Sequence, residues 1–486
     1  MSLPTQMTSD YPASPRFNEY LQQILHLRTI AVLLAAAVIA GAIAVPGDLS
    51  SEGRSALAIT LLAVIGWTLT RIPDVTVAIV AGVAMAAAGA LPDGAVEASL
   101  GHPMIWLMLC AFVMAGVLIA SGAAEWLALR ATRPFKSVRG LFYGVTGVIF
   151  ITAFIIPSTS GRAALLLPVF LVLAKRLPDI RLSKAFALMF PTVILLSAGG
   201  SLTGAGAHAI AADALSQAMG RFIGILEWSA LTAPFALLSC IAAVELILFL
   251  FAPRDALRSR LSPPVEALKP MTGRQLCIVL VILAIGCLWA TIPLHGLSAP
   301  IVALIGAAAL LSQGLSGLKP KEAFRSVDVE LLVFLAATLS LAKGLSATGA
   351  DKWLAAWLLQ TAPAAVLQNQ VLMILLVATV ATFFHLIVNS RTARAAVLFP
   401  VIVIPLGGLD HDMAILALVT ILGTGFCQTL PASAKPVAVF ASIEHHGFSR
   451  GDLLKLSAVL APMMLGLLTL FGILIWPEQI AWLRAG

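Results

Sequence analysis

The chain has 486 residues, 60% hydrophobic and 11% charged, and its mean hydropathy of +1.00 excludes a soluble globular domain. It reads as an all-α polytopic membrane protein: apolar runs near the roughly 20 residues that span hydrocarbon recur along it, and the alternating segments of about 10 residues that build a β-barrel do not. The formal charge of +7 makes no case for nucleic acid, because the basic residues sit between apolar runs, where membrane topology accounts for them.

Residues 1–28 are polar and carry no short apolar region with a small-residue cleavage site, so they read as a cytoplasmic tail and not a signal peptide. A first repeat spans 29–252, from "TIAVLLAAAVIAGAIAV" to "LSCIAAVELILFLFA"; a cytoplasmic linker covers 253–274 and a second repeat 275–486. Lys and Arg collect in alternate loops: Arg130, Arg133, Lys136 and Arg139; Lys175, Arg176, Arg181 and Lys184; Arg254, Arg258, Arg260, Lys269 and Arg274. The positive-inside rule puts these loops and the N-terminus in the cytoplasm. Loops bearing Asp48 and Glu52, Asp93 and Glu97, and Asp410 and Asp412 face outward, as does the C-terminal "PEQIAWLRAG". The expected location is the cytoplasmic (inner) membrane. Cys110, Cys240, Cys277, Cys287 and Cys427 form no CxxC pair and read as packing residues. No metal or cofactor is expected.

Two phrases interrupt the apolar pattern. "STSGRAALLLP" runs from Ser158 to Pro168 and "SRTARAAVLFP" from Ser390 to Pro400, each between two apolar half-runs whose outer ends return to one side. That is the pattern of a re-entrant hairpin, here about 140–178 and 368–408. A Gly-rich stretch follows each, "SAGGSLTGAGAHA" from Ser197 and "GTGFCQTLPASAKP" from Gly423, marking broken helices at about 186–219 and 412–443. "ASGAAEWLA" from Ala120 recurs as "ATGADKWLA" from Ala347. All three pairs are about 230 residues apart, and the two copies differ in the charge of their flanks, which reads as an inverted repeat.

The hairpin tips carry Arg162, Arg391 and Arg394, and the broken helices carry His208 and Lys435. An arginine at membrane depth costs at least about 2.5 kcal/mol, and none of the four local stretches contains Asp or Glu. The partner expected is therefore an anionic solute held by guanidinium forks. Aligning the phrases pairs Ser158 with Ser390, Ser160 with Thr392, Arg162 with Arg394, and Thr159 with Arg391. His208 reads either as a packing residue or as a functional one, and Lys435 either as a fixed cation or as a titrating group. No P-loop or catalytic triad occurs, so the chain does not read as an enzyme.

These residues resemble the divalent anion/sodium symporter family, the di- and tricarboxylate and sulfate carriers, over nearly the whole chain from about Thr29. The family's Ser-Asn-Thr tips correspond to Ser158-Thr159-Ser160 and Ser390-Arg391-Thr392, and its Thr-Pro-Pro-Asn breaks to "AGAH" ending at His208 and "AKPV" ending at Val437. The resemblance implies a homodimer of elevator-type carriers, each with a scaffold and a transport domain. By position it implies substrate binding at Ser158, Thr159, Ser160, Arg162, Ser390, Arg391, Thr392 and Arg394. It implies coupling, or replacement of sodium, at Thr203, Gly204, His208, Ala434 and Lys435. The asparagines are replaced at all four motifs, so the expected activity is sodium-independent exchange of a small divalent anion. Sodium- or proton-coupled symport and an anion channel are the alternatives.

Overall fold

A computed structural model describes residues 30–41, 49–70, 72–263, 269–361, 368–407, 411–443 and 446–485. The tail expected over 1–28, and the outward-loop residues Asp48 and Asp410, lie outside them. The described residues are helical: the one β-bridge among them, Ser137 with Arg260, is isolated. The first half contains α1 (Ile30–Gly41), α2 (Ser51–Leu69), α3 (Asp74–Ala87), α4 (Pro103–Ala120), α5 (Ala123–Thr132), α6 (Val138–Thr152), α7 (Thr159–Ala174), α8 (Arg181–Ala198), α9 (Ala207–Met219) and α10 (Ile225–Phe251). The second contains α11 (Gly273–Ala290), α12 (Ala299–Leu311), α13 (Val329–Ala347), α14 (Ala350–Thr361), α15 (Gln370–Phe383), α16 (Arg391–Leu398), α17 (Met413–Gly423), α18 (Lys435–Ala441), α19 (Arg450–Leu470) and α20 (Trp476–Ala485). Among the described residues seven stretches are long and apolar enough to cross a membrane: α2, α4, α8, α10, α11, α13 and the run Arg450–Arg484. The chain is a multi-pass membrane protein.

Helix starts follow capping chemistry. Ser158 Oγ accepts from the Gly161 amide (3.1 Å) ahead of α7, and Ser390 Oγ accepts from the Ala393 amide (3.2 Å) ahead of α16. Each cap satisfies one of the amides that a helix leaves open at its first turn. The two phrases thus begin short helices in the same way, both with a serine cap.

Both Gly-rich stretches break a helix. After α8 the chain makes a 3-10 turn at Leu202–Gly204 before α9, and after α17 it makes another at Pro431–Ser433 before α18. At the first break a Cβ on Gly204 would collide with the Ala198 carbonyl oxygen, so the backbone needs glycine for this close approach. Trp228 Nε1 donates to the Gly199 carbonyl (3.1 Å), and the buried His208 ring lies against the same indole with centroids 5.3 Å apart. His208 Nδ1 donates to the Ser201 carbonyl (2.8 Å), and Thr203 Oγ1 meets Ser201 Oγ at 3.1 Å.

The halves interlock across the breaks. Helix α9 packs on α16 and α17, while α18 packs on α7 and α8. The segment beyond each break therefore lies on the hairpin and broken helix of the other half. Helices α2, α3, α4, α11, α12 and α13 pack mainly among themselves beside this core.

Arg162 belongs to the framework and not to a ligand site. It is fully buried, its Nε donates to Thr152 Oγ1 (3.0 Å), its Nη1 to the Ile194 carbonyl (2.9 Å), and its Nη2 to the Ile149 carbonyl (2.7 Å) and Ser197 Oγ (2.6 Å). Ile149 lies in the last turn of α6, whose carbonyls have no helical partner, and Ile194 lies four residues before the end of α8; both carbonyls stand near the negative end of a helix dipole. One guanidinium thus joins hairpin and broken helix. Each charge-assisted bond of this kind contributes about 1.5 to 3 kcal/mol, so Arg162→Ala is expected to lower the unfolding temperature in detergent well beyond the loss caused by Arg391→Ala. Equal losses in a thermal-unfolding series would contradict the framework role. Gly204→Ala should also destabilise, by forcing the turn away from Ala198.

Candidate functional site

One cavity of about 450 Å³ lies where the hairpin tips and breaks meet. Ser158, Thr159 and Ser160 reach it from the start of α7; Ser390, Arg391, Thr392 and Arg394 from the start of α16; Ala434 and Lys435 from the second break. Of the thirteen site residues read from sequence, these nine line one space. Arg162, Thr203, Gly204 and His208 do not, and their contacts are those of the framework. At the first break it is Ala205 and Gly206 that face the cavity. His208 is buried with its ring against Trp228 and lies off the cavity lining, so the cavity does not carry the titrating role considered for it. Lys435 is exposed.

The two arginines that line the cavity are only partly used. Arg391 Nη2 donates to the Ile421 carbonyl (3.1 Å) and its Nε to Thr424 Oγ1 (3.3 Å). Arg394 Nη2 donates to the Thr424 carbonyl (3.1 Å) and contacts Cys427 Sγ at 3.0 Å. Both therefore hold the C-terminal end of α17, as Arg162 holds α6 and α8. The remaining nitrogens, Arg391 Nη1 and Arg394 Nε and Nη1, are buried without a partner among the described residues. A buried charged donor left unpaired costs more than the roughly 1 to 3 kcal/mol of a neutral one, and five N–H groups here await an acceptor.

Tertiary structure also adds residues that the local stretches did not contain. Asp74, at the start of α3, and Asp328 and Glu330, at the start of α13, line the same cavity. The four local stretches hold no Asp or Glu, and these carboxylates come from elements distant along the chain. Among the described residues, however, none lies within 4 Å of a cationic nitrogen of Arg391, Arg394 or Lys435. The only sequence signal for Asp328 was its place before an apolar run, and it does cap α13 by accepting from the Leu331 amide (2.9 Å). Asn389 also lines the cavity, one position ahead of the tip phrase where an asparagine was sought. His385, given no role from sequence, is buried. Its Nδ1 donates to the Thr382 carbonyl (2.7 Å) and its Nε2 meets Thr429 Oγ1 (2.7 Å), tying the stem of the second hairpin to the loop that carries Cys427.

The chain has relatives and structural neighbours. A membrane protein of Cupriavidus necator is 23% identical over 82% of this chain and 83% of its own length. The chloroplastic dicarboxylate transporter 1 of Spinacia oleracea is 26% identical over 63% of this chain, and that of Arabidopsis thaliana 25% over 67%. The chain spans 56% and 61% of these two plant proteins. The crystal structure of the YdaH transporter of Alcanivorax borkumensis superposes with a TM-score of 0.52 at 16% identity, covering 79% of this chain and 88% of that one. At that identity the likeness shows fold alone. The family model described as "Citrate transporter" (CitMHS) matches residues 60–423 and 278–482. The chain therefore belongs to the citrate transporter family, as a carrier of the divalent anion/sodium symporter type and not an enzyme.

Proposed function

We infer that the protein exchanges divalent, dicarboxylate-like anions across a cytoplasmic (inner) membrane without sodium. The observation that carries this reading is that Arg391, Arg394 and Lys435 line one cavity, the two arginines with side-chain nitrogens that have no hydrogen-bond partner among the described residues. Guanidinium forks match carboxylate and sulfate oxygens, and such bonds are strong where water is excluded. The names of the chloroplast relatives agree with a dicarboxylate.

Sodium independence draws on Arg162. Its guanidinium sits among two carbonyl and two hydroxyl oxygens, neutral ligands of the kind that hold a small metal ion. A sodium ion about 4 Å from that fixed charge would meet roughly 4 kcal/mol of repulsion at an effective dielectric of about 20. The tethered cation takes the place of a bound one.

In this reading the two halves are inverted repeats, and the chain forms a homodimer with the N-terminus cytoplasmic and the C-terminus outside. The hairpins and broken helices move as one body past a scaffold of α2–α4 and α11–α13. Loaded, Arg391 and Arg394 are neutralised by the anion. Empty, they would carry unpaired charge past apolar helices at several kcal/mol each. The empty carrier stalls, which makes exchange obligatory.

Proteoliposomes test this directly. Uptake of labelled succinate or citrate should require internal dianion and persist when choline replaces sodium; sodium-dependent net uptake into substrate-free vesicles would falsify exchange. Dependence on a pH gradient instead would favour proton coupling, now through Lys435 or the three cavity carboxylates. Arg391→Ala and Arg394→Ala should each weaken half-saturation by about 10- to 100-fold, the equivalent of losing one charge-assisted hydrogen bond.

A further inference from the structure

The geometry points to a polarised binding site: its substrate carries one oxyanion head for the arginines and an end that need not be charged where it meets the first hairpin. This deepens the anion-transport reading and rests on it. The alignment of the two tip phrases had implied an arginine at each pole, with Arg162 and Arg394 as counterparts. The structure removes Arg162 from the cavity and engages four of its five N–H groups with Thr152, Ile194, Ile149 and Ser197. What the first hairpin presents to the cavity is Ser158, Thr159 and Ser160, three hydroxyls without a charge. The cations lie on the second hairpin and second break, as Arg391, Arg394 and Lys435.

The donor inventory fits one head. Arg391 Nη1 and Arg394 Nη1 carry two N–H groups each and Arg394 Nε one, all without a partner. A carboxylate offers about four acceptor sites and a sulfonate or phosphonate somewhat more, so one group has acceptors enough for this set, which has almost no accessible surface in this conformation and opens to the cavity only when the side chains turn. Hydroxyls at the other pole donate and accept equally, and therefore serve an amide or an alcohol as readily as a second carboxylate. The third wall adds a penalty for a second charge, because Asp74, Asp328 and Glu330 are there.

The experiment compares half-amides in competition against labelled substrate, in proteoliposomes of the full chain. Whichever of succinate or citrate competes better is measured against its own half-amide, succinamate or a citrate monoamide, with succinamide as the uncharged control. The half-amide is expected to compete within about tenfold of the parent acid, and succinamide not at all. A half-amide weaker by more than that overturns the polarised site and leaves anion transport standing. If neither acid competes, the anion-transport reading fails and this one with it. Thr159→Arg, which places a guanidinium at the position aligned with Arg391, should widen the gap between acid and half-amide at least tenfold. An unchanged gap in a variant that still transports overturns the assignment of the uncharged pole.

Discussion

A helix that ends inside a membrane leaves its last carbonyls without partners, and lipid supplies none. In this chain arginine side chains meet that demand. Arg162 joins α6 and α8 near their C-terminal ends, and Arg391 and Arg394 reach the end of α17 through Ile421 and Thr424. The arrangement is favourable for the charge as well as for the carbonyls, since each guanidinium sits at the negative end of a helix dipole, worth up to about 2 kcal/mol in a partly buried setting. The breaks and the buried cations are thus one feature: the free helix ends supply the acceptors and the arginines the donors.

The same interaction is spent differently in the two halves. In the first, all three guanidinium nitrogens of Arg162 are used and the contact is closed. In the second, two arginines share the carbonyls of a single helix end, so part of each is left over. Arg391 and Arg394 also stand in the first turn of α16, whose own dipole opposes them. In the proposed function that residual positive charge, on side chains that line the cavity, is what an anion uses. A near-symmetric sequence repeat yields an asymmetric site because one half offers two helix ends to one arginine and the other offers one end to two.

The cavity lies between two groups of helices. Its cations stand on the hairpin and broken-helix group, and its carboxylates on α3 and α13 of the neighbouring group. Relative movement of these groups would change the distance between opposite charges, and so the potential that an entering anion meets.

The sequence alone determined the membrane class, the two tip phrases and the two breaks, since each is written in local composition: apolar length, Ser caps and Gly-rich turns. It also named nine residues that line one cavity. It did not reveal that Arg162 and Arg394, aligned residue for residue, have different surroundings. Those are decided by Ile194 and Ser197 in one case and Thr424 and Cys427 in the other, all some 30 residues away along the chain. Nor did it place Asp74, Asp328 and Glu330 beside the tips, because that proximity follows from how α3 and α13 pack against the core. Which cation is satisfied and which is left free depends on the count of acceptors within hydrogen-bond reach, and only the folded chain sets that count.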